Sequence, residues 1–375
     1  MDFGFSDEQE LLRGEARKLL DEACPLSEVR ALQQTPAGHS PELWKQLGEL
    51  GWLGLIVSEQ HGGAGLAWLD LIVLLEETGR SLFPGPLVSN TLAAATLADA
   101  GSEEQQARWL PGLSEGSRIG TVALLDEREA FTPEAIRLRG RRDGDGWRLS
   151  GNKHFVTDPT TADLFVVAFR TEDAPDALAL GVVEQSASGF ASQSFPTVDA
   201  TRRLGSLTFA DVHLSDDAVL GTPGEAWPAI DLLLDRGATA VAAEMLGAAQ
   251  AALDLTVQYA QDRVQFGSPI GRFQGVKHPL AEMHVQLESA RSLLYYAAWA
   301  LDESPEDVPR AASRAKALMS ETFNRIGTET IQLHGTIAYT EEYPAQLYYK
   351  RSKLARPLFG DSDHHYDRLL RLRGL

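Results

Sequence analysis

One cysteine, Cys24, stands in a chain of 375 residues, so no internal disulfide and no thiolate metal cluster can form. Basic residues are scarce as well. Lys and Arg number 34 against 53 Asp and Glu, for a net charge of −19 and a pI near 4.9. Such a surface repels nucleic acid and anionic membrane, and neither is expected as a partner. The opening M-D-F-G-F-S-D-E-Q-E has no basic segment followed by an apolar one, and no run of about 18 apolar residues follows, which reads as a cytoplasmic protein. Internal repeats, heptad seams and low-complexity tracts are missing. His364 and His365 are adjacent with no third ligand at useful spacing, so no metal is expected.

What is present is an ordinary globular composition, 43% hydrophobic and 23% charged, in a chain long enough for two or three domains. Residues 1–119 read as a helical domain. Ser6 is placed to cap its first helix, Pro25 to end it, and Ser102 with Gln105 to form a capping box. The Gly62-Gly63-x-Gly65 cluster has neither a preceding strand nor a closing Lys-Ser, so it is a turn and not a phosphate loop. Residues 120–222 switch to short β-branched and aromatic runs separated by Gly, Asp and Pro, as in a small antiparallel, barrel-like sheet domain. Residues 223–375 return to helical periodicity, with long segments near 226–262, 273–302, 306–334 and 341–355 that make a four-helix bundle. Arg291, Arg314, Lys316 and Arg325 in these helices read as solvated faces.

Between two of those helices runs R-V-Q-F-G-S-P-I-G-R-F-Q, residues 263–274. Arg263 offers a fork of donors suited to phosphate, Phe266 a flat aromatic face and Gln274 an amide. The chemistry alone is also that of an ordinary surface loop.

Arg263-x-x-Phe266-Gly267 followed by Phe273-Gln274 resembles the corresponding loop of acyl-CoA dehydrogenases, and the resemblance runs nearly end to end. It implies an α+β multidomain fold of helical domain, β domain and four-helix bundle, assembled as a homo- or hetero-tetramer. It also implies FAD as cofactor, an acyl-CoA thioester as substrate and electron-transfer flavoprotein or a similar acceptor as redox partner. In that family the Arg, Phe and Gln reach across a subunit interface to the FAD of the neighbouring chain. Gly151-x-Lys153-x-Phe155-Val156-Thr157 resembles the flavin-contacting strand, with Phe155 where Trp is usual and Thr157 beside the N5 edge. Residues 332–344 resemble the second cofactor stretch through Gln332 and Gly335.

Three departures accompany the match. The first strand leads into A-L-L-D-E-R-E-A-F-T-P-E-A, residues 123–135, without the usual Thr-Glu and Gly-Ser. Thr336 and Ala338 stand where glycines are usual. The family's two locations for the catalytic base align with Phe359 and Gly237, neither acidic. Asp361, two residues past the first location, and Glu244, two turns past the second, are the remaining candidates for a base; Asp361 also suits a helix N-cap. The leading reading is an FAD-dependent oxidoreductase that desaturates an acyl-CoA between its α and β carbons. The alternatives are a non-catalytic, half-site subunit of a heteromeric dehydrogenase, and flavin-dependent oxidation of a nitrogen compound on the same scaffold.

Overall fold

A computed structural model describes residues 5–127, 130–172, 174 and 177–375. Its helices are α1 (Asp7–Ala23), α2 (Leu26–Gln33), α3 (Pro41–Glu49), α4 (Trp68–Arg80), α5 (Leu87–Ala100), α6 (Glu103–Glu115), α7 (Trp227–Asp262), α8 (Gln274–Glu303), α9 (Val308–His334), α10 (Ala345–Ala355) and α11 (Ser362–Arg371). Its strands are β1 (Gly120–Ala123), β2 (Arg139–Asp143), β3 (Gly146–Thr157), β4 (Leu164–Arg170), β5 (Leu178–Glu184), β6 (Phe190–Phe195), β7 (Leu204–Ser215), β8 (Val219–Gly224), β9 (Val264–Gln265) and β10 (Ser268–Pro269). Two compact units result, Met1–Ala31 with Trp68–Phe83 and Ala238–Leu375, and Leu32–Ala67 with Pro84–Gly237.

The second unit is built on an eight-stranded sheet of order β6-β7-β3-β2-β4-β5-β8, with β1 paired beside β4. The sheet is mixed and not purely antiparallel, because β1 and β2 each lie parallel to β4. β1 enters from helix α6 instead of from a hairpin, so no tight turn imposes the antiparallel sense. Trp147 and His154 lie on one long strand, β3, which is interrupted by two register shifts against β7. Leu164 to Phe169 on β4 is buried throughout, as a strand covered on both faces must be. The expected capping box forms, the Ser102 hydroxyl accepting from the Gln105 amide at 3.3 Å, and in the first unit the Ser6 hydroxyl caps α1 by accepting from the Gln9 amide at 3.2 Å. In the glycine cluster, a Cβ on Gly63 would stand 2.0 Å from the Val57 carbonyl, which explains that glycine by backbone approach.

The first unit is helical. α8, α10 and α11 each pack on α9, and α4 packs on α8 and α1. Small residues let α4 and α7 touch backbone to backbone: a Cβ on Gly247 would meet the Glu76 carbonyl at 1.7 Å. Among the described helices α7 alone is long and apolar enough to cross a membrane; 72% of its apolar window is buried, as in a core helix.

Candidate functional site

The sequence Arg263 to Gln274 folds as a miniature hairpin projecting from the end of the first unit. β9 and β10 pair antiparallel, and the two residues between them, Phe266 and Gly267, have φ of +52° and +77°. Two positive φ values make a type I′ turn, the geometry that suits a two-residue hairpin. A phenylalanine is a costly occupant of the first of these positions. Its ring is 91% exposed, edge-on to Phe273 at 6.0 Å and 87°. Burying such a ring is worth about 1.5–3 kcal/mol, so a strained backbone that holds it in water is organised for a partner.

The surrounding groups share that condition. Among the described residues, no hydrogen bond or ion pair engages the Arg263 guanidinium, and none engages the side-chain amides of Gln274 or Gln332. α7 ends, α8 begins and α9 ends at this same end of the unit. The ends of α7 and α9 are joined there by the Tyr259 phenol, which donates to the His334 carbonyl at 3.3 Å. Gly335 follows at once, with φ of +64° and ψ of −139° that only glycine adopts without strain. Thr336 is exposed, whereas Ala338 is fully buried, so its extra methyl lies inside the protein. Ile337 and Tyr339 add 41% and 77% exposed apolar surface. An unpaired cation, bare aromatic faces and unengaged amides together fit the phosphates, rings and polar edges of FAD.

The candidate carboxylates lie elsewhere. Glu244 is buried on α7, eighteen residues before Asp262, which at 1.5 Å per residue is about 27 Å from the hairpin. Asp361 caps α11 by accepting from the His364 amide at 3.0 Å. Its neighbour Gly360 accepts from Lys316 Nζ at 2.8 Å, and Lys316 precedes His334 by eighteen residues of α9, again about 27 Å. Phe359 sits half-buried at φ +55° in the loop between. That loop is held by buried groups that sequence alone did not reveal. Lys316 is completely buried, not a solvated face, and donates also to the Arg356 carbonyl and Ser320. His365 Nε2 donates to the Phe359 carbonyl at 3.0 Å, and burial pushes its pKa down to about 2. Arg291 is likewise engaged, with Glu76 and Tyr295.

In the second unit Phe155 occupies the register shift between Lys153 and Val156, with φ of +55° and 43% exposure. The bulge turns this ring outward beside the buried Val156. Thr157 is half-buried beside it. Thr121 on β1 donates to the Thr157 carbonyl at 2.7 Å and stands 3.5 Å from its hydroxyl. The departing loop is organised by Asp126, which accepts from the amides of Arg137 and Leu138 and from the fully buried Lys153 at 2.9 Å. Burial lowers the Lys153 pKa against the attraction of Asp126. A depression of about 400 Å³ opens between this loop and Gly151–Asn152; Arg128 and Glu129 lie outside the described residues.

Two family models match: the acyl-CoA dehydrogenase N-terminal domain over residues 6–117 and its C-terminal domain over 224–372. The acyl-CoA dehydrogenase IpdE2 of Mycolicibacterium smegmatis is 34% identical over 366 residues, covering 97% of this chain and 98% of that one. The chain belongs to the acyl-CoA dehydrogenase family. Among solved structures, the Tcur3481-Tcur3483 steroid ACAD is 33% identical with a TM-score of 0.89, over 98% of each chain. The ChsE4-ChsE5 complex of Mycobacterium tuberculosis gives 26% and 0.91, over 100% of this chain and 99% of that one. FAD is the cofactor, and the fold class read from the sequence stands.

Proposed function

We propose that this chain is one subunit of an assembled FAD-dependent acyl-CoA dehydrogenase that desaturates an acyl thioester between its α and β carbons. Within that assembly it supplies the half that closes over a neighbouring chain's flavin. The observation that carries this reading is separation. Arg263, Phe266, Gln274 and Gln332 are solvent-facing and unengaged at one end of the unit, about 27 Å from either candidate carboxylate, so one chain's carboxylates cannot serve the flavin that its own hairpin covers. FAD, when bound, supplies the electron acceptor. The residues of this chain would bind and orient it: Arg263 by charge-assisted hydrogen bonds to phosphate, Phe266 by stacking, Gln274 and Gln332 through their amides. A relative solved as a complex of two differently named chains supports a heteromeric arrangement. So does the side chain at the aligned base location, which is the apolar Phe359.

Absorbance at the flavin band, with flavin-to-chain stoichiometry after denaturation, tests the proposal. A colourless protein when purified alone, gaining flavin on co-expression with a second acyl-CoA dehydrogenase chain, is the expected result. One flavin per chain in a homomeric protein that is active alone would overturn the half-site role.

One observation favours a second reading, in which the chain is itself catalytic. Asp361 uses Oδ1 as a cap, and among the described residues Oδ2 has no partner, leaving one oxygen for an α-proton. Under that reading Asp361→Asn retains flavin and loses turnover across a panel of straight-chain, branched and steroid acyl-CoAs.

A further inference from the structure

The two cofactor-facing segments of the first unit, the hairpin and the Gly335 turn, are far apart in sequence and meet through one side-chain junction. The Arg263 amide at the base of the hairpin donates to the Tyr259 carbonyl at 2.8 Å. The Tyr259 phenol donates to the His334 carbonyl, and its ring stacks on the His334 imidazole at 4.4 Å and 30°. Tyr343, which precedes α10, packs against the same ring at 5.1 Å and lies 6.5 Å from Tyr259, so the three rings form a cluster.

His334 is 3% exposed. Nδ1 lies 2.7 Å from the Thr330 carbonyl, which can only accept, so Nδ1 carries the proton and Nε2 is a bare acceptor. Nε2 is buried and has no hydrogen-bond partner. The Leu255 carbonyl of α7 and that of Thr330 would both welcome an imidazolium, but burial outweighs them and lowers the pKa from 6.5. The titratable groups facing the ring are the phenols of Tyr259 from α7 and Tyr343 from the segment before α10; α9 contributes only a carbonyl, and no charged side chain acts on the ring among the described residues.

We infer that His334 is a positioning residue that joins the hairpin and the Gly335 turn into one flavin-binding face, and that it does so only as the neutral imidazole. This rests on the flavin-covering role proposed above. Protonation places a charge in an apolar aromatic slot, and the junction opens to let water reach it. The two segments then lose their common anchor.

The test compares the wild-type full chain with His334→Phe, which keeps the stack without a titrating group, and His334→Gln, which keeps an amide donor to Thr330. Amide hydrogen exchange is read for residues 263–273 and 335–343 between pH 8 and 5.5, alongside flavin affinity of the assembled enzyme. In the wild type, after correction for intrinsic exchange, protection of both segments is expected to fall together below about pH 6.5, and flavin affinity with it by up to tenfold per pH unit. Both variants should lose that pH dependence, and at least one should match wild-type affinity at pH 8. Segments that open independently, or a wild-type pH profile retained in both variants, would overturn the role of His334. Absence of flavin from every assembly at pH 8 would overturn the functional reading instead. Exchange protection would still judge the junction.

Discussion

Lys316 Nζ lies 2.8 Å from the carbonyl of Gly360, inside a helix face where no water reaches the ammonium. The same nitrogen donates to Arg356 and Ser320, so one side chain of α9 fixes both ends of the loop that carries Phe359. Lys316→Met retains the chain's length and removes the donors, leaving two carbonyls unsatisfied. At about 1–3 kcal/mol for each buried orphan, the expected loss is roughly 2–6 kcal/mol in urea unfolding. A change under about 0.5 kcal/mol would mean that water replaces the ammonium.

Gly247 predicts a harsher effect. With the Glu76 carbonyl only 1.7 Å from a built Cβ, and backbone on both sides, α4 and α7 must separate to admit Gly247→Ala. The variant should lose about 3 kcal/mol or more, or fail to fold, although alanine is the better helix former by about 1 kcal/mol. Thermal unfolding of Gly247→Ala beside Gly275→Ala, which has open space around its Cβ, separates the two effects.

The fold was legible where periodicity carries it. The long helices agree closely with the sequence reading, Ser6 caps α1 as expected, and the Ser102–Gln105 capping box forms. β2 and β6 were not legible: R-G-R-R-D has no branched or aromatic residue, and F-A-S-Q-S-F is a largely polar edge. The 263–274 loop stood out because Arg263, Phe266 and Gln274 match the family's cofactor loop, whereas its pairing as a hairpin was not read. Tyr259, His334 and Lys316 were missed because aromatic and basic residues on helices read as core or solvated face, and only the packing shows them joining segments far apart in sequence.

His365 sets an acid limit. Its pKa is about 2 in the folded chain, pushed down chiefly by burial and then by Lys316, against an ordinary value of 6.5. The unfolded chain therefore binds the proton first as pH falls below 6.5, and stability declines from there toward the folded pKa. At pH 5 this amounts to about 2 kcal/mol relative to pH 8. Replacing His365 with Asn should lower stability at pH 8, because the Phe359 carbonyl loses its donor, yet shrink the loss between pH 8 and 5 by that amount. Equal acid sensitivity in both proteins would place the titrating group elsewhere.

Phe266 and Arg263 make the opposite kind of prediction, loss of binding without loss of fold. The Phe266 ring touches little besides Phe273, and among the described residues the Arg263 guanidinium is unpaired, so neither holds the folded chain together. Phe266→Ala should leave the melting temperature unchanged, because alanine keeps the same Cβ at φ of +52° and no neighbour has to move. Flavin affinity of the assembled enzyme should fall by up to about tenfold, the worth of an aromatic stack of about 0.5–1.5 kcal/mol. Arg263→Gln should cost more, about 10- to 150-fold for a charge-assisted bond of roughly 1.5–3 kcal/mol, and should flatten the salt dependence of binding. Fluorescence titration of apo-assembly with FAD at two ionic strengths measures both. Wild-type affinity in the two variants would mean that the hairpin covers something other than the flavin.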